Sequence, residues 1–188
     1  MGFDIYGTHI PVLATAVYLT RGMGPVLELG AGDSSTPLLH AMCRDRKLVT
    51  IETDAKWLGK FKAFEGPDHR LEAVEKWDDW IKAPGPERWA VALVDCAPGE
   101  DRVKLIRHLK DKAIFVVVHD TEKDWGSAAD YKYEAVLPEF KHVSEYRYLR
   151  PYTVVASDFV PFHLDACEAV WTPTAEQKEY FDKMGIKG

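Results

Sequence analysis

Two runs of the chain, Trp89 to Val94 and Ala113 to Val118, are apolar at every position. Each is too short for a buried helix, and both carry several β-branched residues, so both read as strands. A strand with no polar alternate is buried on both faces, as in a parallel sheet covered by helices on either side. Both runs stop on ionisable residues: Asp95 after the first, His119 and Asp120 after the second. Weaker runs of the same kind are Val26 to Leu29, Lys47 to Glu52 and Arg70 to Val74. Helical patterns lie between them, at Ile10 to Arg21, Thr36 to Cys43, Asp54 to Phe64 and from Gly99–Glu100 to Leu109. Alternation of this sort predicts an α/β, doubly wound, mostly parallel sheet of seven strands. The last two strands, Lys141 to Leu149 and Tyr152 to Ala156, form a terminal antiparallel strand pair. Asp124 to Asp130 reads as a loop, Tyr131 to Leu137 as helical, and Thr174 to Met184 as a short terminal helix. In such sheets ligands bind beyond the carboxyl ends of the strands. Gly30 to Gly32, Glu52, Asp78, Asp95, His119 and Asp120 are expected to converge there.

The stretch from Gly24 to Pro37 is the second constraint. Val26 to Leu29, broken only by Glu28, runs into Gly30-Ala31-Gly32, then Ser34, Ser35, Thr36 and Pro37. Pro37 suits a first helical turn, and Ser34, Ser35 or Thr36 can cap its free N–H groups. The two glycines let the backbone turn sharply and approach a ligand closely. The following helix offers N–H donors and the positive end of its dipole to a carboxylate or phosphate. A pair of glycines after a strand is also an ordinary turn, so the strand ends are needed to read it as a site.

Taken together, these residues resemble the class I S-adenosylmethionine-dependent methyltransferases, a Rossmann-like methyltransferase fold. The resemblance covers about residues 24–156 and rests on Glu28-Leu29-Gly30-Ala31-Gly32-Asp33-Ser34, with Ser34 in place of a third glycine. It implies a cofactor site of Glu28, Gly30, Ala31, Gly32, Ser34 and Ser35, with Glu52 on the ribose hydroxyls. Asp78 would lie near the adenine with Trp77 stacking on it, and Asp95 near the reacting methyl. It also implies S-adenosylmethionine as cofactor and a small-molecule acceptor, oxygen favoured. A nicotinamide-dependent oxidoreductase is the main competitor. Ser35 stands where that fingerprint wants its third glycine, and Glu52 lies at about the 20-residue distance it asks for. An acid inside the first strand is unusual there, and 188 residues leave no room for a second substrate domain.

Methyl transfer needs the nucleophile aligned with the methyl group and often a proton removed. Asp95, His119 and Asp120 are the candidate catalytic residues. His119, with an ordinary pKa of about 6.5, is the candidate base and Asp120 its orienting partner. The alternative for His119 is a strand-end cap or a bond to a backbone carbonyl. The same three residues form an alternative Mg²⁺ set, but imidazole is a poor Mg²⁺ ligand, so Mg²⁺ is an option that is not favoured. Cys96 reads as a small buried residue rather than a nucleophile. Thr8 and His9 either reach the cofactor's carboxylate or form a solvated loop. Trp125, Tyr131, Tyr133, Tyr146 and Tyr148 are candidates for a substrate pocket or for packing.

Composition trims the function classes. The net charge of −6 and pI of about 5.6 argue against a broad nucleic-acid face and an anionic membrane surface. RNA methylation, with Lys141, Arg147 and Arg150 as its local hint, remains a second reading, and a methyltransferase-like binding domain without turnover a third. No apolar run is long enough to span a bilayer. Three scattered cysteines, Cys43, Cys96 and Cys167, fit free thiols in a reducing compartment, which points to the cytoplasm. The length suits one domain, its core at about 24–156 with an extension over 157–188; oligomeric state stays open.

Overall fold

Seven strands hydrogen-bond into one sheet: β1 (Val26–Leu29), β2 (Leu48–Glu52), β3 (His69–Ala73), β4 (Trp89–Val94), β5 (Ala113–His119), β6 (His142–Tyr146) and β7 (Thr153–Ser157). Their spatial order is β3-β2-β1-β4-β5-β7-β6. The first five run parallel; β7 lies antiparallel between β5 and β6. The computed structural model describes residues 7–122, 131–148 and 150–167. The loop at Asp124 to Asp130, Trp125, Leu149 and the helix expected at Thr174 to Met184 lie outside the described residues.

The chain winds outward from β1 to β2 and β3, then returns to β4 on the other side. The strand order therefore reverses between β1 and β4, where open α/β sheets bind ligands. Register fixes what emerges there. Leu29 pairs with Ile51 on one side and with Val94 on the other, and Val94 pairs with Val118. The next residues, Gly30, Glu52, Asp95 and His119, thus leave the sheet side by side.

Alternate strand residues feed two apolar layers. Leu27, Leu29, Ala92, Val94, Val116 and Val118 pack with α4 (Trp77–Lys82) and α5 (Arg102–Leu109) through Trp77, Leu105, Ile106 and Leu109. Val26, Val91, Leu93, Phe115 and Val117 pack with α1 (Ile10–Leu19) and α2 (Ser35–Met42). Every residue of β4 is buried, as a run apolar throughout requires.

Two local expectations change. The helix expected over Asp54 to Phe64 is α3 (Ala55–Leu58), capped by the Asp54 carboxylate on the amides of Lys56 and Trp57, followed by a 3₁₀ stretch from Gly59 to Phe64. Gly59, a poor helix former, stands at the change of pitch. The helix expected over Tyr131 to Leu137 is two 3₁₀ turns, Tyr133–Ala135 and Leu137–Glu139. Pro138 has no N–H to continue an α-helical ladder. Just past β3, Trp77, Asp78 and Asp79 open α4. Among the described residues no helix is long and apolar enough to cross a membrane.

Candidate active site at the carboxyl ends of β1, β4 and β5

Gly30 carries φ +95°, and a Cβ placed on it would lie 2.4 Å from the Asp95 carbonyl oxygen and 2.7 Å from Cα of Cys96. The turn after β1 is therefore folded directly against the chain leaving β4, and only glycine fits. The turn is braced from beneath by Glu28, which is fully buried. Its carboxylate accepts from the hydroxyls of Thr36 (2.9 Å) and Thr50 (2.6 Å), and Ser35 donates to it as well. Thr36 Oγ1 in turn accepts the Gly32 N–H at 3.0 Å. Burial pushes the Glu28 carboxyl up to about 7, and the hydroxyl donors offset only part of that rise. Glu28 and Ser35, expected to contact cofactor, are thus internal supports of the turn.

Glu52, at the end of β2, holds the turn from the side. Its Oε2 accepts the Ala31 N–H at 3.1 Å, and its Oε1 accepts the amides of Thr53 (2.6 Å) and Asp54 (3.1 Å). Trp57 reaches back to donate its indole N–H to the Ala31 carbonyl at 2.6 Å. Trp77, expected as a stacking surface, is 1% exposed and its N–H donates to the Ala97 carbonyl at 2.9 Å. Its ring is spent on the core. Asp78 is exposed in the first turn of α4 and pairs with Lys104 at 2.6 Å, which holds its carboxyl below the usual range. Ser34 is half-buried at the head of α2.

Beyond β4 and β5 a charged cluster forms around Arg102, the first residue of α5. This buried guanidinium donates to Asp95 Oδ1 (2.9 Å), Asp120 Oδ2 (3.0 Å), the Tyr133 hydroxyl (3.1 Å) and the Cys96 carbonyl (2.7 Å). Tyr131 lies under its plane, 4.5 Å away. Asp120 sits at φ +58°, a left-handed conformation that Asp tolerates better than most residues. His119 is 3% exposed, with Nδ1 at 3.2 Å from Asp95 Oδ2 and 3.4 Å from Asp120 Oδ1.

The other nitrogen of His119 fixes its state. Thr8 Oγ1 donates to the Pro151 carbonyl at 2.8 Å and lies 2.9 Å from His119 Nε2. A hydroxyl has one proton, so Thr8 accepts from Nε2–H. Two carboxylates, Asp95 and Asp120, then face Nδ1. Burial pulls the His119 pKa down, but the bond to Asp95 and the charges of Asp95 and Asp120 outweigh it and raise it. Burial would raise Asp95, but His119 and Arg102 hold it at about 2. Both ring nitrogens of His119 are engaged, Nε2 with Thr8 and Nδ1 with the two carboxylates.

Of the other candidates, Thr8 and His9 are buried against His119, the two histidine rings meeting edge-on at 4.6 Å, not solvated. Tyr131 and Tyr133 belong to the cluster, whereas Tyr146 is core and Tyr148 is exposed. Burial pushes the Cys96 thiol up to about 12. Arg147 is paired with Glu145, and Lys141 reaches the Asp158 carbonyl. Arg102 was not among the sequence candidates.

The sheet order, the terminal antiparallel pair and the glycine turn together are the class I methyltransferase fold. Similar solved structures include a Klebsiella pneumoniae protein classed as an O-methyltransferase: TM-score 0.64, 14% identity, covering 84% of this chain and 83% of that one. The O-methyltransferase TomG from Streptomyces achromogenes, solved with SAM and involved in tomaymycin synthesis, gives TM-score 0.57 at 18% identity, covering 78% of each chain. The N-terminal domain of human METTL16 in complex with SAH gives 0.59 at 12%, covering 85% of this chain and 72% of that one. The sequence matches no family model and no curated protein.

Proposed function

We propose that the protein transfers a methyl group from S-adenosylmethionine to a hydroxyl of a small molecule. The observation that carries this reading is the contact between the Gly30 turn and the Asp95 backbone, at a distance no side chain would allow. It sets the glycine turn directly beside the charged cluster at this edge of the described sheet. The turn fits the donor: Gly30, Ala31, Gly32 and Ser34 would line it, Glu52 would take the ribose hydroxyls, and Asp78 would stand toward the adenine. Bound there, the donor supplies an electrophilic methyl on a sulfonium. The likeness to TomG and to METTL16, both methyltransferases, supports the same donor.

The chain's own part is positioning. Asp95 is ionised at neutral pH, and its side chain is 22% exposed, so one oxygen edge can accept a hydrogen bond from an incoming hydroxyl. Asp120 is equally exposed beside it. Arg102 and His119 hold both carboxylates from behind, so the acceptor meets a preorganised pair. His119 acts as a positioning residue in this reading.

The test is thermal unfolding with S-adenosylmethionine, S-adenosylhomocysteine and NAD, followed by transfer of labelled methyl to a panel of hydroxylated small molecules and RNA. Ligand at a hundred times its Kd adds about 2.7 kcal/mol, or roughly 5–10 °C for a chain of this size. A rise with S-adenosylhomocysteine is expected. A rise with NAD alone overturns the donor, and label moving only to RNA overturns the acceptor.

A further inference from the structure

We propose that His9, Asp95 and His119 form a binding site for one divalent transition-metal ion of the nitrogen-preferring kind, such as Zn²⁺, Co²⁺ or Fe²⁺. One ligand atom from each of these three residues lies within 4.8 Å of the others. They come from three places in the chain: the residue capping α1, the residue after β4, and the last residue of β5. Two imidazoles and one carboxylate are the donor set that suits such ions, whereas Mg²⁺ prefers all-oxygen shells.

Three features fit a metal better than a chance cluster. The gap from His119 Nδ1 to Asp95 Oδ2 is 3.2 Å. Bonds of about 2.0–2.2 Å at a tetrahedral angle give donor separations of about 3.3–3.6 Å. The two atoms need move apart by only about 0.1 Å to reach that range. Next, Nε2–H of His119 is committed to Thr8, whose own proton goes to the Pro151 carbonyl. That bond leaves Nδ1 as the nitrogen turned to the carboxylates, and metal-ligating histidines have their other N–H held in this way. Third, Arg102 binds Asp95 through Oδ1 and leaves Oδ2 toward His119.

A bound ion would sit beside two carboxylates, Asp95 and Asp120, which lie 3.2 Å and 3.4 Å from His119 Nδ1. Metal binding does not depend on the methyl-transfer reading above and is measured without donor or acceptor.

The experiment is to strip the full-length protein with chelator, titrate it with Co²⁺, and follow the visible ligand-field bands, with Zn²⁺ as competitor. One ion per chain is expected, with no thiolate-to-cobalt charge-transfer band. His9→Ala should weaken binding by more than about a hundredfold, beyond the 10–100-fold that losing an outer-shell partner costs, and Thr8→Val should fall within that range. X-ray absorption on the zinc-loaded wild-type chain should show imidazole and oxygen neighbours, which covers the case of a variant that does not fold. Substoichiometric binding, unchanged affinity in His9→Ala, or sulfur in the metal's shell would overturn the proposal.

Discussion

Replacing Gly30 with alanine tests whether the turn after β1 is as tightly committed as its geometry says. Two costs add. Alanine at φ +95° is held in a region that L side chains rarely adopt, at about 1–3 kcal/mol. Its methyl would also lie 2.4 Å from the Asp95 carbonyl oxygen. That neighbour is backbone at the end of a buried central strand and cannot rotate away, and overpacking of this kind costs about 1–3 kcal/mol. The sum is about 4 kcal/mol, which for a chain of this length lowers Tm by about 8–16 °C. Gly32→Ala is the internal comparison. Its methyl would meet Ser35 Oγ at 2.7 Å, and φ there is ordinary. A hydroxyl can turn aside, so the loss should stay near about 1 kcal/mol. Gly66→Ala, with open space around it, should be neutral or slightly stabilising. Differential scanning calorimetry on the three variants gives the ranking. A Gly30→Ala protein no less stable than Gly32→Ala would refute the close contact between turn and β4, and with it the adjacency on which the functional reading rests.

Two further predictions concern buried charge. Glu28 is raised from 4.5 to about 7. A carboxyl raised on folding contributes stability that is complete below its unfolded value and is lost as pH climbs through the folded one. Between about pH 4 and pH 8 this group alone should cost the native state about 3 kcal/mol. Glu28→Gln, neutral throughout, should flatten that part of the profile when urea midpoints are compared across pH; an unchanged slope would sink the assignment. Arg102→Met strips the partner from Asp95 and Asp120 and should lose about 3–5 kcal/mol, with the urea midpoint falling at constant m-value. A loss below about 1 kcal/mol would mean the carboxylates find water or another cation without it.

The sheet was legible because its strands are short and nearly pure. The run from Trp89 to Val94 forms β4 with the same limits, since nothing polar blurs its ends. The row of strand-end residues followed from where the apolar runs stop and from the rule that parallel sheets bind ligands beyond their carboxyl ends. What failed was the direction of individual side chains. Glu28 has neighbours on both sheet faces, so its carboxylate had only the hydroxyls of Ser35, Thr36 and Thr50 to turn to, and those come from other elements. Trp77 opens α4 against the core rather than toward the ligand edge. Arg102 did leave a trace: with Leu105, Ile106 and Leu109 it occupies the buried face of α5 at helical spacing. An arginine in that series is aimed inward and needs acidic company. The burial of Thr8 and His9 left no comparable mark, because it depends on Pro151, more than a hundred residues away.

The placing of β7 between β5 and β6 has a consequence for synthesis. On the side away from β4, β5 pairs only with β7. On the ribosome, that edge of the most apolar strand in the chain waits uncovered while everything from His119 to Thr153 is made. Unpaired edges of this kind recruit other chains. The last described strand to emerge is thus also the one that quenches the nascent chain's stickiest surface, and a stalled product ending before Thr153 would be expected to aggregate or to need a chaperone.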